Sequence, residues 1–447
     1  MLEKRIPEIK VAPPGPNAQA VIAKDRAHSS PSYIKEYPLV VARGEGAWIT
    51  DVDGNTYLDL MAGIAAASTG HAHPKVVAAI HEASSKFLHI CGTDFYYESF
   101  SDLCARLANL VPGMGPKKVF LSNSGSEAVD GAIKLARSHT KRQNIIAFRG
   151  AFHGRTIAAI SLNASKVKYR AHFGPLMNGV FHVEYPPSAP HRHADDDDGR
   201  LYARRIEDEV FARYTDPSDV AAIIVEPILG EGGYVMPPRG FLEELRRICD
   251  AHGIVLIFDE VQSGMGRTGQ MYACDHYGIY PDVLLSAKGI ASGMPLGAII
   301  ARESVMTWGR GTHGSTYGGN PVCCAAALAT IDVLEGLLPQ VRETGAHMIA
   351  GLRKLAAKYP VLADVRGVGL MIGAEFLRPD GTPAMGFVGE LEQKAFRRGV
   401  LILGCGRSTV RFAPPLVITP GEVDTALAIL DECIAELCTE RGWTINA

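Results

Sequence analysis

The cysteines of this chain follow none of the patterns that bind metal or build disulfide frameworks. There are nine among 447 residues, an odd number, and no Cys-x-x-Cys pair occurs. Cys323 and Cys324 are adjacent, and Cys433 and Cys438 lie on one predicted helix. The fifteen histidines have no cysteine or acidic partner at metal-ligand spacing. These absences argue against a disulfide framework and a zinc site, and no metal is expected.

A strong net charge and long apolar runs are missing as well. The formal net charge of -3 gives no reason to expect nucleic acid or an anionic membrane as partner. No apolar run approaches the roughly 20 residues that span a bilayer. The first residues, MLEKRIP, lack the apolar stretch of a secretory signal. We therefore expect a cytoplasmic protein with no membrane partner.

Short apolar runs alternate with helical patterns through the middle of the chain. The runs that predict strands are 118–122, 144–148, 221–225, 254–258, 283–286 and 296–300. They are apolar throughout rather than alternating, which is typical of strands buried on both faces by helices. Helices are predicted from Ser126 to about His139 and from Phe241 to His252. The predicted fold class is α/β with a mainly parallel central sheet.

Changes of pattern divide the chain into four parts. These are an N-terminal arm at 1–32, the N-terminal part of a small domain at 33–95, a large domain at 96–334 and the C-terminal part of the small domain at 335–447. The arm is rich in Pro and Ala, and a hairpin with a Gly-Asn turn is predicted at 48–55. A polar insertion between Pro186 and Pro217 contains four consecutive aspartates at 195–198 and predicts a solvated loop.

The last part of the chain predicts a smaller α+β domain. The predicted elements are helices at 345–359, 387–398 and 420–438, and strands at 369–376 and around 410. No internal repeat is found, so a large α/β domain with one smaller companion is the expected organisation.

The residues NSGSEA at 123–128 follow a predicted strand and open a predicted helix. Ser124 and Glu127 fit a capping box. A helix N-terminus presents unpaired N–H groups and partial positive charge, which suits a phosphate. Gly125 permits close approach of the backbone, and Ser126 adds a hydroxyl donor. Because most capped helices bind nothing, this pattern alone is a weak indication of a phosphate site.

Two ionisable residues stand just beyond apolar strands, where ligands of open α/β sheets collect. Asp259 follows the strand at 254–258, and its partly desolvated carboxylate favours a buried cation such as a protonated pyridine nitrogen. Lys288 follows the strand at 283–286 and, once desolvated, could lose its proton and attack an aldehyde. A turn carboxylate and a surface lysine are the alternatives at these positions.

The glycine pattern GMGRTG at 264–269 matches the dinucleotide-binding fingerprint without its context. A true fingerprint turns from a strand directly into an apolar helix. Here several residues separate the pattern from the preceding strand, and residues 270–274 are too short and polar for that helix. An NAD-dependent dehydrogenase is therefore only a remote alternative.

Together these motifs resemble the class III (omega-amino acid) aminotransferases of the fold type I pyridoxal-phosphate enzymes, in particular 4-aminobutyrate aminotransferases. The resemblance runs from about Tyr33 to Cys438. Its motifs stand in family order: TGHAHP at 69–74, NSGSEA at 123–128, FHGRT at 152–156, EPILGEGG at 226–233, DEVQ at 259–262, Lys288, and TYGGNP at 316–321. The resemblance implies pyridoxal 5'-phosphate as the cofactor.

The resemblance also implies roles around the ring of that cofactor. Lys288 is implied to hold it as an imine and to move the substrate's proton, and Asp259 to pair with its pyridine nitrogen. Gln262 is implied to face the ring hydroxyl. Phe152 is implied to stack on the ring, with His153 beside it.

The phosphate of the cofactor is the second group for which the resemblance implies ligands. Gly125 and Ser126 are implied to hold it, helped by Thr316 of the neighbouring subunit. A role for Thr316 across a subunit boundary makes a homodimer, or a dimer of dimers, the expected active form.

Four further residues match positions that bind the substrate in the family. Arg411 matches the arginine for the α-carboxylate, which a planar guanidinium binds bidentately, although a surface arginine on a strand is the alternative. Glu231 matches the acidic gate, part of the implied catalytic set, that pairs with this arginine when a substrate lacks an α-carboxylate. Arg155 matches the position for the distal carboxylate of 4-aminobutyrate or 2-oxoglutarate. Ile64 matches a residue lining the substrate pocket.

The implied reaction moves an amino group from an amino acid donor, at best 4-aminobutyrate or another omega-amino acid, to the 2-oxo acid acceptor 2-oxoglutarate. Ornithine and acetylornithine aminotransferases share most of these positions. The residues RGVLILGCG at 398–406 look most like archaeal-type branches that include broad-specificity amino-acid racemases. A racemase returns the proton to Cα, which motif spacing cannot show. A non-enzymatic binding role is remote because a complete catalytic set is present.

Overall fold

The structure is a computed structural model that describes residues 5–188, 191 and 198–446. The chain forms two units, the first from Met1–His73 with Pro339–Ala447 and the second from Pro74–Leu338. Residues 74–95 are predicted to belong to the small domain, whereas they fall in the second unit. Apolar packing explains the difference, since Ala79 and Ala83 line one groove together with Ala325.

The N-terminal segment of the first unit carries a short antiparallel sheet. Its elements are α1 (Pro16–His28), β1 (Val41–Glu45), β2 (Trp48–Asp51), β3 (Thr56–Asp59) and α2 (Ala62–Ala65). β2 pairs antiparallel with β3, which confirms the predicted hairpin. The segment predicted as an arm folds back on this hairpin. The carboxylate of Asp53, in the hairpin turn, accepts hydrogen bonds from Asn17 N (2.9 Å) and Ala18 N (3.0 Å) and so caps the first turn of α1.

The second unit is built on a seven-stranded sheet. Its elements are α3 (Pro74–Lys86), α4 (Glu98–Asn109), β4 (Lys117–Ser122), α5 (Gly125–Thr140), β5 (Asn144–Phe148), α6 (Ile157–Leu162), β6 (Val180–Val183), α7 (Arg200–Arg205), β7 (Val220–Val225), α8 (Arg239–His252), β8 (Val255–Asp259), α9 (Cys274–Tyr277), β9 (Val283–Ser286) and β10 (Gly297–Arg302). The strand order is β4-β10-β9-β8-β7-β5-β6. Strands β5 to β9 run parallel, and β10 is antiparallel to both of its neighbours. This confirms the predicted mainly parallel α/β sheet.

Part of the insertion predicted as a solvated loop is helical. The aspartates at 195–197 lie outside the described residues, but α7 begins at Arg200 and continues as a π-helix over Ile206–Phe211. Tyr202, Ala203 and Val210 are buried on one side of this segment. The loop prediction was wrong here because the charged residues hid an apolar stripe at helical spacing.

The chain enters its last part through a long helix. The elements are α10 (Pro321–Lys358), β11 (Leu362–Val368), β12 (Met371–Phe376), α11 (Met385–Arg397), β13 (Val400–Leu401), β14 (Leu403–Cys405), β15 (Thr409–Phe412) and α12 (Pro420–Arg441). In the first unit, β13 joins the N-terminal strands in the order β1-β2-β3-β13, and β11-β12-β15-β14 form a second sheet. A capping box between Thr419 and Glu422 starts α12.

Within the part of the chain that the structure describes, α10 is the single helix long and apolar enough, by length and composition, to cross a membrane. Half of its most apolar 18-residue window is buried inside the molecule. The buried core helix of a soluble protein meets the same criteria, so the observation carries little weight. Asp332 and Glu335 interrupt this stretch, so the sequence contains no continuous apolar run there.

We expect Gly345→Ala in α10 to lower the free energy of unfolding by about 1–3 kcal/mol. Alanine normally stabilises a helix interior by about 1 kcal/mol relative to glycine. An added Cβ at Gly345, however, would lie 2.0 Å from the carbonyl oxygen of Gly369, a backbone atom that cannot turn aside. Gly351→Ala is the control, since its Cβ would meet only the flexible end of the half-buried Leu427 side chain at 2.2 Å. The free energies of unfolding of both variants can be measured by urea denaturation. A Gly345→Ala variant more stable than Gly351→Ala would contradict this account.

Candidate active site

The start of α5 has the cap that the sequence predicts. The hydroxyl of Ser124 accepts a hydrogen bond from Glu127 N at 3.2 Å, and the Glu127 carboxylate accepts one from Asn123 N at 2.9 Å. The Asn123 side chain donates to the same carboxylate at 2.9 Å and to Ser315 Oγ at 3.1 Å. The first turn of the helix is therefore held in place after the end of β4 by these cap contacts.

Gly125 is required by packing at this helix start. An added Cβ would lie 2.8 Å from Val261 Cγ1 and 3.5 Å from the Cβ of Ala287. The absence of a side chain lets α5 begin close to the turn after β8 and to the residue that precedes Lys288. The glycine thus brings three segments together, in addition to the close backbone approach expected from the sequence.

Ser126 fixes the loop between β5 and α6. Its hydroxyl oxygen accepts hydrogen bonds from Arg155 N (2.9 Å) and Thr156 N (3.1 Å) and lies 3.1 Å from Thr156 Oγ1. Thr156 Oγ1 in turn donates to Asp130 at 2.8 Å. Ser126 therefore joins the predicted phosphate-binding turn to the FHGRT loop, a role that sequence reasoning missed.

A buried ion pair lies at the carboxyl end of β8. Asp259 Oδ2 is 2.7 Å from His153 Nδ1, and Asp259 Oδ1 accepts a hydrogen bond from Val261 N at 3.0 Å. The backbone N–H of His153 donates to Asn163 Oδ1 at 2.6 Å. Burial alone lowers the pKa of His153, but the hydrogen bond and charge of Asp259 outweigh it and raise the pKa above its ordinary value. The pair keeps the Asp259 carboxylate in a fixed position.

Glu226 at the end of β7 holds two loops at once. Its Oε1 accepts a hydrogen bond from Phe152 N at 2.9 Å, and its Oε2 accepts one from Gly230 N at 2.7 Å. Burial raises the pKa of the Glu226 carboxyl to about 7, against the lowering effect of His153 and of these backbone donors. Glu226 therefore positions Phe152 and the segment that leads to Glu231.

Lys288 stands at the same edge of the sheet as Asp259. β8 and β9 are parallel neighbours with Asp259 opposite Leu285, so the residues after both strands leave the sheet together. Lys288 is half-buried and has φ +45°, a left-handed conformation that costs a non-glycine residue about 1 kcal/mol. Such local strain is typical of functional positions.

Gln262 lies in the turn after β8, and Tyr234 fixes it. The hydroxyl of Tyr234 donates to Gln262 Oε1 at 2.9 Å. A Cβ on Gly230 would lie 2.3 Å from Gln262 Nε2, so the glycine allows the loop after β7 to pass close to this amide.

A cluster of aromatic and charged side chains lies beside these residues. We call it the carboxylate cluster, and it consists of Phe152, Arg155, Lys166, Tyr169 and Glu231. The Arg155 guanidinium lies 4.1 Å from the ring centroid of Tyr169 and 5.4 Å from that of Phe152. Glu231 Oε1 accepts hydrogen bonds from Lys166 Nζ at 2.7 Å and from the Tyr169 hydroxyl at 3.1 Å. Tyr169 thus contacts both the cation of Arg155 and the anion of Glu231.

Two predicted substrate residues belong to the first unit. Arg411 lies in β15, opposite Gly373 of β12 and Leu403 of β14, and is only 7% exposed, which rules out a surface arginine. Ile64 is 45% exposed and has φ +63°. Asp59 supports this turn, because its Oδ1 accepts hydrogen bonds from the backbone N–H groups of the two residues before Gly63, at 2.7 and 3.0 Å.

Thr316 and the glycine pattern at 264–269 lie in loops that adjoin site residues. Thr316 follows Ser315, which is hydrogen-bonded to Asn123 at the start of α5, and the glycine pattern begins two residues after Gln262. Thr316 is exposed in a loop before α10. The residues after β8 form turns and then α9, which has four residues, instead of a crossover helix. The dinucleotide-binding context is thus missing from the structure as well. Among the described residues, no group of three or more His, Cys, Asp or Glu side chains is placed to hold a metal ion.

Sequence reasoning missed several residues of this site. Asn163, Lys166 and Tyr169 contact predicted site residues but belong to none of the motifs. Glu226 stands in a quoted motif, but its role was not recognised. It follows an apolar strand, as Asp259 does, and the same strand-end argument could have identified it.

Comparison with known proteins shows the family to which the chain belongs. The profile of the family described as "Aminotransferase class-III" matches residues 30–434. The chain belongs to this family. Among its relatives, 5-aminovalerate aminotransferase DavT of Pseudomonas putida is 40% identical and the alignment covers 90% of this chain and 94% of the relative. For 4-aminobutyrate aminotransferase GabT of Escherichia coli the identity is 38%, covering 94% of this chain and 99% of the relative. For an alanine/serine racemase of Pyrococcus horikoshii it is 37%, covering 97% and 94%.

Solved structures agree with this assignment. The ornithine aminotransferase of Toxoplasma gondii matches with a TM-score of 0.84 at 31% identity, over 95% of this chain and 96% of that chain. The expected fold type I architecture of class III aminotransferases is confirmed. The chain is an aminotransferase that uses a small-molecule amino donor and an oxo acid acceptor, with pyridoxal 5'-phosphate as its cofactor.

The residues of the second unit fit this cofactor. The capped start of α5 offers free N–H groups to a phosphate. The buried Asp259 carboxylate suits a protonated ring nitrogen. His153 Nε2 is a buried polar atom with no hydrogen-bond partner among the described residues, and a polar group of a ligand could satisfy it.

Proposed function

We propose that this class III aminotransferase takes the amino group of an omega-amino acid, 4-aminobutyrate or its one-carbon-longer homologue 5-aminovalerate, and passes it to 2-oxoglutarate. The names of two relatives support these donors. The observation that carries the proposal is Arg155, whose guanidinium is held over the rings of Tyr169 and Phe152 at 4.1 and 5.4 Å. A cation fixed in this way suits a carboxylate remote from the reacting amino group.

The proposal assigns cofactor binding to residues of the second unit. Gly125 and Ser126 bind the phosphate at the start of α5. Asp259, fixed by His153, pairs with the ring nitrogen. The cofactor supplies an electron-withdrawing ring and a carbonyl carbon that takes up the amino group.

The remaining roles around the ring follow from side-chain chemistry. Lys288 Nζ would hold the cofactor covalently and, when free as an amine, would take the proton from the substrate carbon that bears the amino group. Phe152 covers one face of the ring and excludes water from it. Gln262, held by Tyr234, faces the ring hydroxyl.

The proposal also assigns residues to the substrate. Arg155 binds the distal carboxylate, and Arg411 binds the α-carboxylate of glutamate and 2-oxoglutarate. Glu231 compensates the charge of Arg411 when the substrate has no α-carboxylate. Ile64 lines the substrate pocket, and its strained, exposed position supports a functional role.

The assembly and compartment are part of the proposal. We assign Thr316 to the phosphate site of the partner subunit, so that a homodimer is the smallest active form. The exposure of Thr316 and of the neighbouring Tyr317, 63% exposed, supports this assignment. A cytoplasmic location suits the small, soluble substrates.

Adding single amino donors without an oxo acid tests the proposed reaction. We expect 4-aminobutyrate and 5-aminovalerate to bleach the yellow absorbance of the cofactor faster than ornithine or acetylornithine does. Addition of 2-oxoglutarate should then restore it. Bleaching by ornithine or acetylornithine alone would contradict the proposed donors. Persistent absorbance together with loss of optical rotation of L- or D-alanine would identify a racemase instead.

A further inference from the structure

Lys166 supplies the second positive charge of the carboxylate cluster. Its Nζ lies 2.7 Å from Glu231 Oε1, and the two side chains are 32% and 10% exposed. A partly buried ion pair of this length is screened less by solvent than one on the open surface. Lys166 therefore compensates much of the negative charge of the Glu231 carboxylate.

Tyr169 connects this ion pair to Arg155. Its hydroxyl donates to Glu231 Oε1 at 3.1 Å, while the Arg155 guanidinium lies 4.1 Å from its ring centroid. Burial and the charge of Glu231 raise the pKa of the Tyr169 hydroxyl, so the phenol keeps its proton and remains a donor. Glu231 contacts the hydroxyl of Tyr169 and Arg155 contacts its ring, so the two opposite charges lie within about 10 Å of each other, roughly one Debye length, and the Glu231 charge opposes that of Arg155.

The charge balance of the cluster depends on Lys166. Arg155 and Lys166 contribute two positive charges and Glu231 one negative charge, which leaves one positive charge for a ligand. Without Lys166 the cluster is neutral, and the Glu231 carboxylate competes with a substrate carboxylate for the Arg155 guanidinium.

We propose that Lys166 is a specificity-determining residue that compensates Glu231 and so leaves Arg155 available to a substrate carboxylate. The proposal rests on the function proposed above for Arg155. It makes Lys166 the reason why the site prefers omega-amino acids and dicarboxylic oxo acids to simple amines. Lys166 acts through Glu231, without contacting the reacting atoms.

The test compares a donor that carries a carboxylate with one that lacks it. In Lys166→Met we expect kcat/KM for 4-aminobutyrate to fall about tenfold, mainly through KM, because one full charge is removed beside the binding cation. For n-butylamine, which has the same chain without the carboxylate, kcat/KM should stay within about twofold. Lys166→Arg keeps the charge and should recover most of the activity toward 4-aminobutyrate.

Lys168→Met is the matched control for a change of overall charge. Lys168 lies in the same segment, with its Nζ 5.5 Å from the Tyr169 ring centroid, and its side chain is exposed. This variant should bind and turn over 4-aminobutyrate like the unchanged enzyme. An effect of Lys168→Met as large as that of Lys166→Met would overturn the proposal.

Calorimetric titration with glutarate, an unreactive five-carbon dicarboxylate, tests binding without turnover. We expect its Kd to rise about tenfold in Lys166→Met and to return in Lys166→Arg. An unchanged Kd, or equal losses for 4-aminobutyrate and n-butylamine through kcat, would overturn the proposal. If the unchanged enzyme accepts neither omega-amino acid but Lys166→Met still weakens glutarate binding, the donor assignment fails while the role of Lys166 stands.

Discussion

Lys288→Ala is expected to lower the transamination rate by at least about a thousandfold and to leave the protein without covalently bound cofactor. Lys288 follows β9 at the same edge of the sheet as Asp259, and its side chain is the one that the proposed mechanism uses twice. It first holds the cofactor and then takes the proton from the substrate. Alanine supplies neither function, and no neighbouring lysine belongs to this segment of the chain.

The measurement combines turnover with chemical trapping. Borohydride reduction followed by peptide mass analysis should find the cofactor on the Lys288 peptide of the unchanged enzyme and on no peptide of the variant. The fold should survive, because alanine meets the same left-handed backbone as the lysine it replaces. Normal turnover by the variant, or trapping on another lysine, would refute the assignment of Lys288.

Asp259→Asn should lower kcat/KM by about a hundredfold to a thousandfold, the second largest effect that we expect. Asparagine keeps the shape of the side chain. Its amide oxygen can still accept the hydrogen bond from Val261 N, while its NH2 group takes the place of Oδ2 and can donate to a neutral His153 Nδ1. It lacks the negative charge that holds a proton on the ring nitrogen of the cofactor. The loss should therefore appear mainly in kcat.

His153→Gln is the control for this prediction. It removes the 2.7 Å ion pair but leaves the Asp259 charge in place, so we expect a loss of only about tenfold. Steady-state kinetics on both variants separates the charge of Asp259 from its positioning. If His153→Gln proved as damaging as Asp259→Asn, the geometry of the pair rather than the charge would be decisive.

Six of the seven strands of the second unit's sheet could be predicted because their sequences are short apolar runs, whereas β6 (Val180–Val183) was not predicted. Asn144–Phe148 and Val283–Ser286 are short apolar runs between polar or glycine-containing turns, and the structure gives them the same limits. β11 (Leu362–Val368) was missed because LADVRGV mixes charge, glycine and apolar residues. It is a strand because it pairs with β12 over its whole length, a long-range contact that no local pattern reports.

Helix α10 shows a different limit of prediction. The sequence pattern predicts a helix that starts at Gly345, whereas the structure has one helix from Pro321 to Lys358 with Pro339 inside it. A proline is normally expected to interrupt a helix, so the pattern before it was not extended. Burial of the apolar side of α10, including Ile331 and Leu334, outweighs that local preference.

The candidate site was predictable where chemistry and chain position coincide. Asp259 and Lys288 end neighbouring strands, and Gly125 opens a helix, so each has a local reason to be functional. Lys166 and Tyr169 have none, since they follow Arg155 by more than ten positions in a polar stretch. Only the folded chain brings them to Glu231, which is why the charge balance around Arg155 could not be read from the motifs.

The two hydrogen bonds of Glu226 limit how this enzyme can be redesigned. One carboxylate fastens the loop that carries Arg155, through Phe152 N, and the loop that carries Glu231, through Gly230 N. The two loops that carry the proposed substrate-binding residues are therefore joined through one buried carboxylate. A loop taken from a relative should be tolerated only when its backbone can still donate the corresponding hydrogen bond to Glu226. When the enzyme is evolved to accept new amino donors, we accordingly expect variants with substitutions in both loops more often than variants with substitutions in one loop.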